Sequence, residues 1–160
     1  MTVNTTALLN LAEPQTGTET GQWGNDINYG LTDYLDIAIA GTLALTSASF
    51  TSNALTLTNS TGSNSANNIG TTTAQYAAIK VSSLAANVTI TAPSSSKIYI
   101  INNADSTYSV TVKASGQTGV AVSPGVRATI IFNGTDYVQV AASNAASTGK
   151  AIAMALIFGF

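Results

Sequence analysis

The sequence predicts a mainly β protein in which a short N-terminal helix precedes an antiparallel β-sandwich or jelly-roll-like module. Three observations carry this. Beyond Gly41, apolar and polar residues alternate with period two in short runs, as in strands with one buried and one wet face. Asn133-Gly134 and Pro124-Gly125 stand between such runs as hairpin and type II turn signals. Thr (24), Ser (17) and Asn (14) dominate the polar residues, and β-branched Thr suits a pleated surface.

Taken in order, residues 1–41 form an N-terminal segment. Pro14, Gly17, Gly21 and Gly24 punctuate its polar first part, with an apolar turn around Leu8, Leu9 and Leu11. A helix follows, with Asn25 or Asp26 as its N-cap and Asp26 complementing the helix dipole. Ile27, Leu31, Tyr34 and Ala38 recur at helical spacing and Leu35 widens the stripe, so one face is apolar. Gly30 weakens this helix by about 1 kcal/mol relative to Ala, and Gly41 ends it.

The β module spans 42–141. Leu43 and Leu45, then Leu55 and Leu57, alternate with small or polar residues. Asn59–Asn68 is a low-complexity loop. Strands are expected at Tyr76–Ser82, Asn87–Thr91, Lys97–Asn102, Tyr108–Lys113, Val126–Phe132 and Tyr137–Val140. Residues 142–160 are a small-polar linker and then an apolar strand. An end so apolar needs cover, either in its own sheet or added to a neighbouring subunit's sheet. Ala151–Phe160 is about half the ~20 residues of a bilayer span. No basic region precedes Ala7-Leu8-Leu9, so neither membrane insertion nor a signal peptide is expected.

Composition excludes several function classes. Cys and His are absent, which removes thiolate chemistry, the commonest general base and the commonest metal ligand. Only 8% of residues are charged, against about 25% in ordinary domains, and the net charge is −2. Lys80, Lys97, Lys113, Arg127 and Lys150 are scattered, so no nucleic-acid footprint is expected. Asp26 and Asp33 lie two helical turns apart, too far to share an ion, and with Asp36 they read as a cap and a solvated face. Asp105 and Asp136 could in principle supply a glycosidase-like pair, yet both fall in turn-rich segments where Asp is expected. No enzyme activity, cofactor or metal is expected.

Two kinds of aromatic residue suit binding. Trp23 is either an interface anchor or a side chain packed on its own helix. Tyr99, Tyr108 and Tyr137 are either ordinary strand tyrosines or contacts for a glycan.

Glu13-Pro14-Gln15-Thr16-Gly17, then Gly21-Gln22-Trp23-Gly24-Asn25-Asp26-Ile27-Asn28 and Leu35-Asp36, resemble the opening of bacteriophage tail-fibre-like virion proteins, especially those of aquatic phages, cyanophages included. Lys97-Ile98-Tyr99-Ile100-Ile101-Asn102-Asn103, Val110-Thr111-Val112-Lys113, Gly119-Val120-Ala121-Val122, Pro124-Gly125 and Asn133-Gly134-Thr135-Asp136 resemble a β module of the same proteins, and Thr148-Gly149-Lys150-Ala151-Ile152-Ala153-Met154 their C-terminal segment. The resemblance implies a homotrimeric structural protein on the surface of a phage particle, a short fibre-like or decoration subunit attached to tail or capsid. Its partners would be its own copies and other virion proteins, with a receptor- or glycan-binding module as the alternative. Trp23, Ile27, Leu31, Tyr34 and Leu35 would then dock on the virion or on sister chains. Ile152, Leu156, Ile157 and Phe158 would join the trimer, at about 1.5–3 kcal/mol per fully buried side chain.

Overall fold

Alternation of apolar and polar residues demands a buried and a wet face on each strand, and the chain meets this demand by coiling. The computed structural model describes residues 4–17, 20–60, 68–95 and 97–140. β1 (Asn4–Thr5) pairs antiparallel with β2 (Ala12–Glu13). A helical run follows, made of α1 (Trp23–Ile27), a π-helical segment (Asn28–Thr32) and α2 (Asp33–Ala40). Then come β3 (Thr42–Leu45), β4 (Ala54–Thr56), β5 (Ala78–Val81), β6 (Val88–Thr91), β7 (Ile98–Asn103), β8 (Val110–Lys113), β9 (Val120–Val122), β10 (Arg127–Phe132) and β11 (Tyr137–Gln139).

These strands build two sheets. The first has the order β3-β5-β7-β10-β11 and the second the order β4-β6-β8-β9. The chain crosses from one sheet to the other and back, so β3, β5 and β7 run parallel, as do β4, β6 and β8. Ala78 lies opposite Ile100 and Val88 opposite Val110, each 22 residues on. The last full coil is therefore a 22-residue unit stacked on its predecessor, the arrangement of a β-solenoid. β9 and β10 run against the stacked strands, β11 turns back to their direction, and the three close the stack with antiparallel pairs.

The expected mainly β layering of two sheets over one core is present, and the expected antiparallel direction is corrected: the sheets are mixed. Alternation reports that one face of a strand is wet, and it does so whichever way the neighbouring strand runs. Parallel sheets usually lose the alternation because crossover helices cover their outer faces. Here each crossover from β3 to β8 passes through the opposite sheet, so the outer faces stay open.

One core lies between the sheets. Leu43, Leu45, Ile79, Val81, Tyr99, Ile101, Ala128, Ile130 and Tyr137 enter it from the first sheet. Leu55, Val88, Ile90, Val110, Val112 and Val122 enter it from the second. Expected turns appear where their residues stand. Gly125 takes φ 72°, and the Val126 N–H donates to the Ser123 carbonyl at 3.2 Å, closing a turn with glycine at its third position. Asn133 opens a four-residue loop between β10 and β11, its side-chain oxygen accepting from the Thr135 and Asp136 N–H groups at 3.0 Å each.

The N-terminal segment is tied to the first coil. Gln75 is fully buried, and its amide donates to the carbonyls of Leu9 at 2.8 Å and Ser60 at 2.6 Å. Asn59 donates to the Leu8 carbonyl at 2.7 Å. Gly41 ends α2 as expected: a Cβ there would lie 2.7 Å from Ile37 backbone atoms, and the Gly41 N–H donates to the Ile37 carbonyl.

Two details of the helix differ from expectation. It begins at Trp23, with Gln22 in the capping position, so neither Asn25 nor Asp26 is the N-cap. Its buried residues are Asp26, Gly30 and Tyr34, whereas Ile27 and Leu31 are half-buried and Leu35 is exposed. The π segment widens a turn by one residue, so a face projected at 3.6 residues per turn through 28–32 arrives rotated. Gly30 lies in this segment because β2 abuts it: a Cβ there would stand 2.5 Å from the Ala12 Cβ.

Candidate functional site

The outer face of the first sheet is apolar at one end. β-strand register aligns Ile98, Ile131 and Val138 in one row across β7, β10 and β11. The next row holds Ala78, Ile100 and Thr129, and the Val140 N–H donates to the Thr129 carbonyl at the end of that row. A third row holds Ala44, Lys80, Asn102 and Arg127. Ile98 is 60% exposed and Ile100 50%, and Val140 is exposed as well. An isolated exposed Ile is ordinary, but neighbouring ones in adjacent rows of a sheet make this face a candidate docking surface.

The apolar end continues into a groove of about 360 Å³ lined by Leu8, Leu9, Ala38, Ser95, Lys97 and Ile98. The Lys97 ammonium sits at its wall, donating to the Gln75 carbonyl and lying 5.1 Å from the centre of the Tyr99 ring. Burial lowers its pKa to about 8.

Sequence reasoning did not single out this face, although a signal was present. Ile98-Tyr99-Ile100-Ile101 and Ile130-Ile131-Phe132 break the alternation with apolar residues in consecutive positions, so both faces of β7 and β10 carry them. Tyr99 and Ile101 point into the core, leaving Ile98 and Ile100 outside.

Of the residues expected to dock, Trp23 is 61% exposed and lines a shallow groove with Gln15, Thr16, Gly17 and Thr20. It does not pack away on its own helix. Tyr34 is buried, and its hydroxyl accepts from the Asn68 N–H at 3.2 Å. Burial raises its pKa, against the Asn68 hydrogen bond, and nearby Asp33 adds to the rise. Ile152, Leu156, Ile157 and Phe158 lie outside the described residues.

Two of the three candidate glycan contacts, Tyr99 and Tyr137, are corrected. Tyr99 and Tyr137 are 1% exposed, their rings 5.9 Å apart in the core, and their hydroxyls donate to the carbonyls of Ala74 at 2.7 Å and Pro93 at 2.6 Å. Neither ring is open to a sugar. Burial pushes the Tyr137 hydroxyl up to about 12 and that of Tyr99 higher still, Tyr137 adding to the latter shift. Tyr108 is half-buried.

The two carboxylates weighed for catalysis are occupied as turn staples. Asp105 accepts from the N–H groups of Tyr108, Leu84 and Thr107, each at 2.8 Å, and these bonds hold its pKa below the ordinary carboxylate value. It thereby ties the corner after β7 to the corner after β5. At Asp136, burial raises the pKa, but N–H donors from Ala114 at 3.0 Å, Gly119 at 2.6 Å and Tyr137 at 2.8 Å outweigh it and leave it lowered. Asp26 is 2% exposed, which corrects its placement on a solvated face, and its Oδ2 has no hydrogen-bond partner. Among the described residues no three acidic side chains gather as a metal site, and no helix is long and apolar enough to cross a membrane.

No protein-family model, curated protein or solved structure matches this chain.

Proposed function

We propose that this chain is a structural subunit on the surface of a bacteriophage particle, a short fibre-like or decoration subunit attached to tail or capsid and assembled as a homotrimer. The observation that carries the reading is the exposed apolar end of the first sheet, where Ile98 and Ile100 stand in adjacent rows. Two sheets of hydroxyl- and amide-bearing strands make a stiff, nearly uncharged body. Such a body gains stability when its apolar face is covered by sister chains, at about 25 cal/mol for each Å² removed from water. Trp23, exposed beside Gly17 and Thr20 at the start of the helical run, supplies a second contact, which we assign to the particle. The similarity of both terminal segments and the β module to phage tail-fibre-like proteins supports the same reading.

Asp105 and Asp136 favour a structural role over hydrolysis of a host polysaccharide, because each spends its oxygens on backbone N–H groups. The reading is tested on particles of the virus that encodes the chain. Mass spectrometry of purified particles should detect it in stoichiometric amounts, and cryo-electron microscopy should find its density, in threefold groups, on the outer surface. Particles that lack the chain while infected cells contain it would overturn the proposal.

A further inference from the structure

The apolar sheet face and the apolar chain end account for each other. Resting on the assembly reading above, we propose that residues 150–160 of one copy dock on the Ile98, Ile100, Ile131 and Val140 face of a neighbouring copy.

The face and the segment match in chemistry. Residues 150–160 hold a single charge, Lys150, at their start, and Ile152, Met154, Leu156, Ile157, Phe158 and Phe160 after it. The face is charged only in its third row, at Lys80 and Arg127. Its first row offers Ile98, Ile131 and Val138 and its second Thr42, Ala78, Ile100 and Thr129, with no charged side chain among them. Such a segment gains from leaving water, and a face with Ile98 and Ile100 half open gains from receiving it.

The chain leaves β11 on a course away from its own apolar rows, which fits delivery to a neighbour. β11 runs from Tyr137, opposite Phe132, to Gln139, opposite Ile130, and Val140 then meets Thr129. The chain thus leaves the sheet heading away from the Ile98–Ile131 row and toward the row of Arg127 and Lys80. Residues 141–149 separate this exit from Lys150 and reach at most about 30 Å when extended. That is long enough to cross to an adjacent subunit. β11 is also the edge of its sheet, so nothing in the first sheet stands between the exit and a neighbour.

The absence of native cysteine makes a clean test. Ile100→Cys is made in one full-length chain, and Ile152→Cys, Ala155→Cys or Phe158→Cys in another. The two are mixed, mildly oxidised and run on a non-reducing gel, with each single variant alone and a Thr111→Cys chain, altered on the opposite sheet, as controls. Light scattering on the same samples gives the assembly mass. The expected result is a mixed disulfide dimer for at least one pair, in at least tenfold excess over the Thr111→Cys control. Assemblies that form without any such cross-link would overturn this inference and leave the assembly reading standing. Carrying both cysteines on one chain and finding only an internal disulfide, at the mass of one chain, would overturn both.

Discussion

Asn103 offers the sharpest test of the coiled architecture. It is fully buried, in register with Val81 one coil earlier, so the fold places an amide where the preceding coil has a hydrocarbon. Its Nδ2 donates to the carbonyls of Tyr108 at 2.9 Å and Val122 at 3.0 Å, and its Oδ1 accepts from the Asp105 N–H at 3.2 Å. The amide therefore binds the corner after β7 to β9, where the chain stops coiling and turns back. Asn103→Val keeps the shape and copies the residue of the coil below. It leaves the Val122 carbonyl and the Asp105 N–H buried without this partner, at about 1–3 kcal/mol each, while water can still reach half-buried Tyr108. Greater apolar burial returns about 1 kcal/mol, so the net loss is about 1–5 kcal/mol. Urea unfolding followed by far-UV circular dichroism should show a lower midpoint at an unchanged slope. The melting temperature should fall by about 2–4 °C per kcal/mol for a chain of this size. A loss under about 0.5 kcal/mol would refute the claim that this amide holds the final coil to its closing strands.

Acid should loosen the same corners. The folded-state pKa values of Asp105 and Asp136 are lowered, so their contribution to stability is present in full above about pH 4, the unfolded value, and is lost as the pH falls through the folded values. Urea midpoints measured from pH 6 to pH 2 should drop in that acid window, and the drop should shrink in Asp136→Asn. Lys97 has the opposite signature. Its lowered pKa burdens the fold at neutral pH, and stability should rise from about pH 8 toward the unfolded value near 10.5, a rise that Lys97→Met should abolish in paired unfolding curves. Gly30→Ala gains about 1 kcal/mol of helix propensity but forces a Cβ to within 2.5 Å of the Ala12 Cβ, an overpacking cost of about 1–3 kcal/mol. A net loss is expected by urea unfolding, and Ala12→Gly in the same chain should recover it.

How much of this was legible depends on what each residue reports. Most strands from Thr42 to Gln139 were readable because apolar residues such as Val88/Ile90 and Val110/Val112 alternate with polar ones, a pattern with no helical reading; β9, only three residues long, was missed. Their parallel direction was not, since the same alternation serves a hairpin and a coil. The coil did leave a trace: Val88, Ile90 and Ala92 recur 22 residues on as Val110, Val112 and Ala114. The trace is short because the first coil is longer, Thr42 lying opposite Ala78, which breaks the period before a third repeat accumulates. The π segment hid the true buried face of the helix, since nothing in Asn28–Thr32 announces a wider turn. Asp105 and Asp136 were readable as turn residues from their neighbours. The tyrosines were ambiguous because an inward and an outward tyrosine look alike on a strand whose two faces are both apolar. That double-sided run, Ile98 to Ile101, was itself the mark of the exposed apolar face.

In the proposed assembly the apolar face of the first sheet is covered by sister chains. Sedimentation equilibrium of the full-length chain at micromolar concentration tests this most directly, beside an Ile100→Lys variant whose circular dichroism matches the parent. The account predicts three times the 16.2 kDa chain mass for the parent and a shift toward the single-chain mass for the variant. A parent that sediments as one chain, or an assembly indifferent to lysine at position 100, would contradict it.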